Sequence, residues 1–309
     1  MRRQNWTSVN EFILLGFTTH PTLQQVLLVL CLAVALATMF GNSLIIYLVW
    51  VDSRLHTAMY FFIGNLSFLD MLFTVITVPQ MLVHLVSGIN IITFNRCMAQ
   101  LNLTLSCGMT ECFILAFMAY DRYVAICRPL RYPTIMRMQM CMKMAGICWV
   151  SAFINAAALT AITVSFPFCG PNQINHFYCE LPAMLKLACM DTYLAEVVIF
   201  ALSVIVLMLP FTFIVISYIH IARVVISMHS AKGRQRAFST CATHLTVVTL
   251  FYSTIGFTYL QPRSNRVADQ EKRASVFYAL VSPMLNPIIY SLRNKDVKGA
   301  LAKAMGKVS

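Results

Sequence analysis

Seven stretches of this chain are apolar for about the length a helix needs to cross a bilayer: roughly 26–50, 57–86, 94–127, 140–165, 193–228, 237–260 and 271–291. A hydrocarbon core of ~30 Å takes about 20 mostly apolar helical residues. In lipid only helices and closed barrels pair all of their backbone. The expected fold class is therefore an all-α membrane protein, a seven-transmembrane helix bundle. Composition agrees, with 59% hydrophobic and 11% charged residues and a mean hydropathy of +0.73, against about a quarter charged in a soluble domain. One unit fills residues 1–309: an N-terminal segment 1–25, a bundle 26–291 and a tail 292–309. Residues 1–25 do not read as a cleavable leader, and the first span can itself act as the membrane signal.

The net charge of +12 fits a membrane protein better than a nucleic-acid binder, because Lys and Arg gather on the cytoplasmic side. Fifteen of the 23 lie in segments 51–56, 121–143, 220–236 and 293–309, and eight on the other side. The N-terminus is expected outside. Asn5-Trp6-Thr7 is a glycosylation acceptor there. Residues 294–308 alternate Lys298, Lys303 and Lys307 with Val297, Ala300, Leu301 and Ala304, the pattern of a short amphipathic helix on anionic lipid.

Of eleven cysteines, Cys31, Cys107, Cys112, Cys127, Cys141, Cys148 and Cys241 fall in or at the ends of spans and read as small core residues. Cys97, Cys169, Cys179 and Cys189 lie on the outer side, and spacing leaves three pairings open. In the long outer loop His176, Cys179 and Glu180 offer donors for copper or zinc. The alternative is a disulfide at Cys179 and an ordinary hydrogen bond at His176.

Ionisable groups inside the bilayer are costly and usually functional. Asp70 and Glu111 sit mid-span and invite a cation or a shared proton. Thr104, Glu111 and Arg122 fall within about 20° of one face of the third span and extend ~27 Å along it. This stripe ends at Asp121-Arg122, and Asp121 is expected to hold Arg122 in the resting state. Pro210, Pro283 and Pro287 each remove a backbone donor.

The motifs together resemble one family. "MAYDRYVAICRPLRYPTIM" at 118–136, "GNSLIIYLV" at 41–49, "LHTAMYFFIGNLSFLD" at 55–70, "RAFSTCATHL" at 236–245 and "PMLNPIIYSLRNKDV" at 283–297 are similar to the ordered signatures of olfactory (odorant) receptors of the tetrapod type. These belong to the rhodopsin-like (class A) G-protein-coupled receptors. The resemblance implies disulfides Cys97–Cys179 and Cys169–Cys189, and a sodium site at Asp70 and Glu111. It also implies a G-protein switch of Asp121, Arg122, Tyr123, Tyr218, Asn286, Pro287 and Tyr290. The implied partners are a small volatile odorant and a stimulatory olfactory G protein that raises cyclic AMP, at the plasma membrane of olfactory cilia. Ala58, Arg128 and Arg236 depart from the family's usual Pro, His and Lys.

Similar receptors bind ligand in the outer half of the bundle. The inward positions here are expected to be Thr104, Leu105, Gly108 and Met109, facing Leu202, Ser203, Val206 and Leu207. Ile255, Gly256 and Tyr259 join from the sixth span, and Val276 and Ala279 from the seventh. This mostly apolar wall suits a small neutral molecule with one hydrogen-bonding group. The alternatives are a non-olfactory class A receptor for a small neutral ligand, or an ion-coupled transporter, for which the chain shows no internal repeat. No nucleophile–base motif marks an enzyme.

Overall fold

The computed structural model describes residues 9–17, 20–168, 172–260, 268–293, 295–304 and 306. The long helices are α1 (Pro21–Val51), α2 (Ala58–Ser87), α3 (Phe94–Cys127), then a short α4 (Tyr132–Ile135) and α5 (Met138–Val164). A short α6 (Leu181–Leu185) precedes α7 (Tyr193–Ser227) and α8 (Ala231–Tyr259). The last long run is α9 (Ala268–Val276), a π-helical turn (Phe277–Val281) and α10 (Ser282–Arg293), followed by α11 (Lys295–Ala304).

Six of these runs are long and apolar enough to cross a membrane by length and composition. The other long helix, α8, has 29 residues but carries Arg, Ser, Thr and His through its first half. Its polar groups are spent inside the bundle: Thr246, Thr254 and Thr258 each bond a carbonyl one turn back. It starts six residues before the expected 237, so the helix projects beyond the apolar run.

The α3 helix is the central strut, packed against α2, α5, α7 and α8. Its buried residues recur on several faces, from Cys97 to Val124. The outward sides of α1, α5 and α7 stay apolar and exposed, as at Phe40, Ile147 and Leu209, the faces that lipid would cover.

Proline shapes the seventh run. Pro287 lacks the N–H that would bond the carbonyl of Pro283. The side-chain amide of Asn42 on α1 donates to that carbonyl instead, at 3.0 Å. The neighbouring Gly41 lets the helices close: a Cβ there would come within 2.9 Å of Pro287 Cγ. Pro283 cannot bond Ala279 and its ring crowds that carbonyl. The turn just before it is π-helical, closed by Ser282 N–H donating to the Phe277 carbonyl.

A small sheet caps the end that carries the N-terminus, called the outer end here. The strand β1 (Glu11–Leu14) runs antiparallel to β2 (Ile91–Thr93) and parallel to β3 (Gln173–Ile174). Its Phe12 and Leu14 are buried with Ile92, Ile174 and Phe168 in a second core. From the N-terminal segment, which the sequence places outside, Glu11–Leu14 is thus built into the cap.

At the opposite end α11 docks on the bundle through buried Val297 and Ala300, and Tyr60 donates to Asp296 at 2.9 Å. Protein, not lipid alone, covers its apolar face. Beside it, hydrogen bonding from Arg54 holds the Asp52 carboxyl down at about 2.

Gly41→Ala should lower the melting temperature of the purified protein, by the equivalent of about 1–3 kcal/mol. Gly64→Ala, with nothing within 4 Å of a new Cβ, should be neutral or slightly stabilising. Thermal denaturation of the two variants side by side checks this.

Candidate functional site

The outer half of the bundle holds a cavity of about 530 Å³ of atom-free space, its mouth included. It is lined by Thr104, Leu105, Gly108, Met109, Ser203, Val206, Leu207, Ile255 and Tyr259, together with Phe73, Cys112, Leu159, Tyr178 and Tyr278. The first nine are positions the sequence pattern places inward. The i, i+1, i+4, i+5 pattern on α3 puts four of them on one face.

Four expected positions do not line it. Leu202 is 37% exposed, at the edge of the α7 face that lines the cavity. Gly256 faces its own next turn, where an added Cβ would lie 3.6 Å from Leu260 Cδ1. Val276 precedes the π-helical turn, and Ala279 is buried against other helices. That turn adds a residue to the helical repeat and brings Tyr278 to the cavity in their place. Regular helical spacing cannot reveal such a shift.

The polar groups are few and unequal. The Thr104 hydroxyl donates back to its own helix, reaching the carbonyls of Gln100 and Leu101 at 2.9 and 3.1 Å. Only its lone pairs face a ligand. Ser203 makes no such backbone bond among the described residues. Tyr178 comes from the outer loop, which Cys97–Cys179 ties to the top of α3. Gln100 supports the same junction, accepting from Cys179 N–H at 2.8 Å and donating to the Ile76 carbonyl at 2.9 Å.

Below the cavity a smaller chamber is lined by Asp70, Glu111, Cys107, Ser282 and Pro283, with Leu69, Phe73 and Tyr278. Asn286 donates to both oxygens of Asp70, at 3.2 and 3.0 Å. The chamber's carboxylate and hydroxyl oxygens suit a hard cation. Among the described residues no group of three or more His, Cys, Asp or Glu gathers as a metal cluster.

At the inner end the structure corrects the expected Asp121–Arg122 pairing. Adjacent helical residues point about 100° apart, and Asp121 instead accepts from the Tyr132 hydroxyl at 2.7 Å. Among the described residues no ion pair joins Asp121 to Arg122. Arg128 places its guanidinium over Tyr123, 5.7 Å from the ring centre. Tyr290 is fully buried.

Sequence reasoning missed His244. One ring nitrogen lies 3.0 Å from the Leu115 carbonyl, which can only accept, so that nitrogen donates. In the neutral imidazole the other then accepts from the Tyr218 hydroxyl at 2.7 Å. One side chain thereby ties α3, α7 and α8 together. A histidine amid the apolar residues of a span was the available signal.

In the outer loop, Cys179 is committed to its disulfide and cannot serve as a thiolate. His176 Nδ1 accepts from the Tyr178 N–H at 3.4 Å. Its Nε2 lies 3.7 Å from Glu180. Burial, aided by the charge of Lys272, pushes the imidazole down to about 3, so it is neutral and this approach is not an ion pair. Cys189 is disulfide-bonded, while Cys169 and Asn5 lie outside the described residues, as does the side chain of Arg236. The seven cysteines assigned to spans are free, and all but Cys127 are buried.

A family model described as "Olfactory receptor" matches residues 30–307. This chain belongs to the olfactory receptor family. It is 50% identical to Olfactory receptor 2D2 of Homo sapiens over 303 residues, 98% of each chain. It is 48% identical to Olfactory receptor 2G3 of Homo sapiens, over 97% of each. With Olfactory receptor 8U3 of Mus musculus it shares 46% over 99% of this chain and 96% of the relative. The olfactory receptor described here is thus a multi-pass G-protein-coupled receptor and not an enzyme, and the family's seven spans include α8.

The neutral state of His176 has a pH consequence. Its folded value lies below the unfolded one of about 6.5, so the unfolded loop binds the extra proton. Stability of the cap is complete above that value and falls as pH drops toward about 3. The protection factors of residues 172–180, corrected for the intrinsic exchange rate at each pH, should fall between neutral and mildly acidic pH. His176→Gln should flatten that dependence.

Proposed function

We propose that this olfactory receptor sits in the plasma membrane of olfactory cilia with its N-terminus outside. There it binds a small neutral volatile in the outer cavity and activates a stimulatory olfactory G protein, raising cyclic AMP. The observation that carries the reading is the cavity itself: apolar walls from α3, α7 and α8 with isolated hydroxyls, in a chain of this family. Such a wall gives affinity by burial and orientation by one or two polar contacts. Among the described residues no acidic side chain lines it to hold an amine.

In this reading the Leu115–His244–Tyr218 chain is the resting lock. Ligand contacts on Val206, Leu207, Ile255 and Tyr259 lie on the two helices that the lock joins to α3. A ligand that favours a different α7–α8 arrangement shifts the balance by its difference in affinity for the two states. Moving α8 breaks the His244 bonds and opens the inner face around Arg122, where the G protein engages, with Tyr218 and Tyr290 rearranging. Asp121, held by Tyr132, orders the adjoining inner loop.

Asp70 and Glu111 are proposed to hold a sodium ion, with Ser282 adding an oxygen and Asn286 orienting the Asp70 carboxylate. The ion would supply a positive charge that balances the two acids. The residues themselves join α2, α3 and the seventh span.

The test is a cyclic AMP assay of the expressed receptor against a chemically diverse odorant panel. We expect a concentration-dependent rise with at least one small neutral odorant. Ser203→Ala should weaken potency for an oxygenated agonist about fivefold, the worth of one hydrogen bond, and spare its hydrocarbon analogue. No rise at verified surface expression would overturn the reading, and equal loss for both ligands would remove the role of Ser203.

A further inference from the structure

The cavity and the carboxylate chamber share a wall. Phe73 and Tyr278 line both spaces, and their rings meet edge to face with centroids 4.8 Å apart. Tyr278 is 9% exposed and belongs to the π-helical turn. Its hydroxyl reaches across to α3 at Gly108, where a Cβ would come within 2.9 Å of the oxygen. Among the described residues that hydroxyl has no hydrogen-bond partner. Tyr278 lines the cavity, so an occupant there can supply that bond.

We infer that Tyr278 is the partition between the ligand cavity and the ion chamber, and that its ring couples their occupants. This rests on the proposed reading of the cavity as a ligand site and of the chamber as a cation site. A ligand touches the ring pair from above and a cation from below, so displacement of the ring by one occupant changes the space left for the other. By linkage the effect is the same in both directions. The hydroxyl adds a polar contact at the cavity floor. Gly108 and the π-helical turn are both required. The turn brings the ring inward, and the absent side chain on α3 gives its hydroxyl room.

Two native thiols report on the two spaces, because Cys112 lines the cavity and Cys107 the chamber. Methyl methanethiosulfonate converts a reachable thiol to a methyl disulfide. The new S–S bond forms as the reagent's sulfonyl–sulfur bond breaks, and the thiol proton leaves with methanesulfinate. Labelling rates at each cysteine are read by peptide mass mapping on purified receptor with its Cys97–Cys179 bond intact.

In the wild type we expect Cys112 to be labelled faster than Cys107. Tyr278→Ala should raise the Cys107 rate about tenfold by opening the wall, since access limits a buried thiol. Tyr278→Phe, which keeps the ring, should leave Cys107 protected. Equal wild-type rates, or an unchanged Cys107 rate in Tyr278→Ala, would overturn the partition.

The coupling is read from Cys112 labelling in sodium chloride against choline chloride. A severalfold sodium effect in the wild type, lost in both Asp70→Asn and Tyr278→Ala, is the expected result. An effect lost in Asp70→Asn but intact in Tyr278→Ala leaves the cation reading standing and overturns coupling through Tyr278. No effect in the wild type removes the cation reading and the coupling with it, while the Cys107 result still decides the partition.

Discussion

A helix in lipid cannot leave a backbone carbonyl without a donor, and the seventh span carries two prolines that each remove one. The rest of the bundle is arranged around that deficit. The Asn42 amide replaces the bond lost at Pro287, and Gly41 lets α1 come close enough to deliver it. Next to the break, Asn286 turns into the bundle and bonds Asp70. Before Pro283 the helix widens into a π turn, and Tyr278 enters the space between cavity and chamber. One repair of broken backbone thus fixes the packing of α1, the carboxylate chamber and part of the cavity wall.

Much of this was legible in the sequence. The apolar runs gave helix positions within a few residues because hydrophobic length is set by the bilayer. The inward face of α3 followed from helical geometry, and Thr104, Leu105, Gly108 and Met109 all meet at the cavity. On the seventh span the same reasoning chose Val276 and Ala279 and missed Tyr278. A regular repeat of 3.6 residues cannot anticipate an inserted π turn. The Asp121–Arg122 pairing failed for a related reason, since sequence neighbours on a helix do not face each other.

Long-range partners were the other gap. Nothing local in Glu11–Leu14 announces that it pairs with Ile91–Thr93 and Gln173–Ile174. Those contacts exist because the disulfide and Gln100 hold the outer loop over α3. His244 was visible as a polar residue in an apolar span, but its partners on α3 and α7 come only from the fold. Its two bonds join the helices whose outer halves line the cavity, and in the proposed reading this is a ligand's physical path to the inner face.

The central claim is that ligand acts within the cavity walled by α3, α7 and α8. Two positions on α7, one turn apart, separate this from a general effect of a bulky side chain on that helix: Val206 lines the cavity, while Leu202 does not and is partly exposed. The measurement is the cyclic AMP concentration–response of Val206→Trp and Leu202→Trp at matched surface expression, with an agonist that activates the wild type. Filling the cavity should abolish the response in Val206→Trp and leave Leu202→Trp close to wild type. Equal loss in both, or a full response in Val206→Trp, would contradict the account.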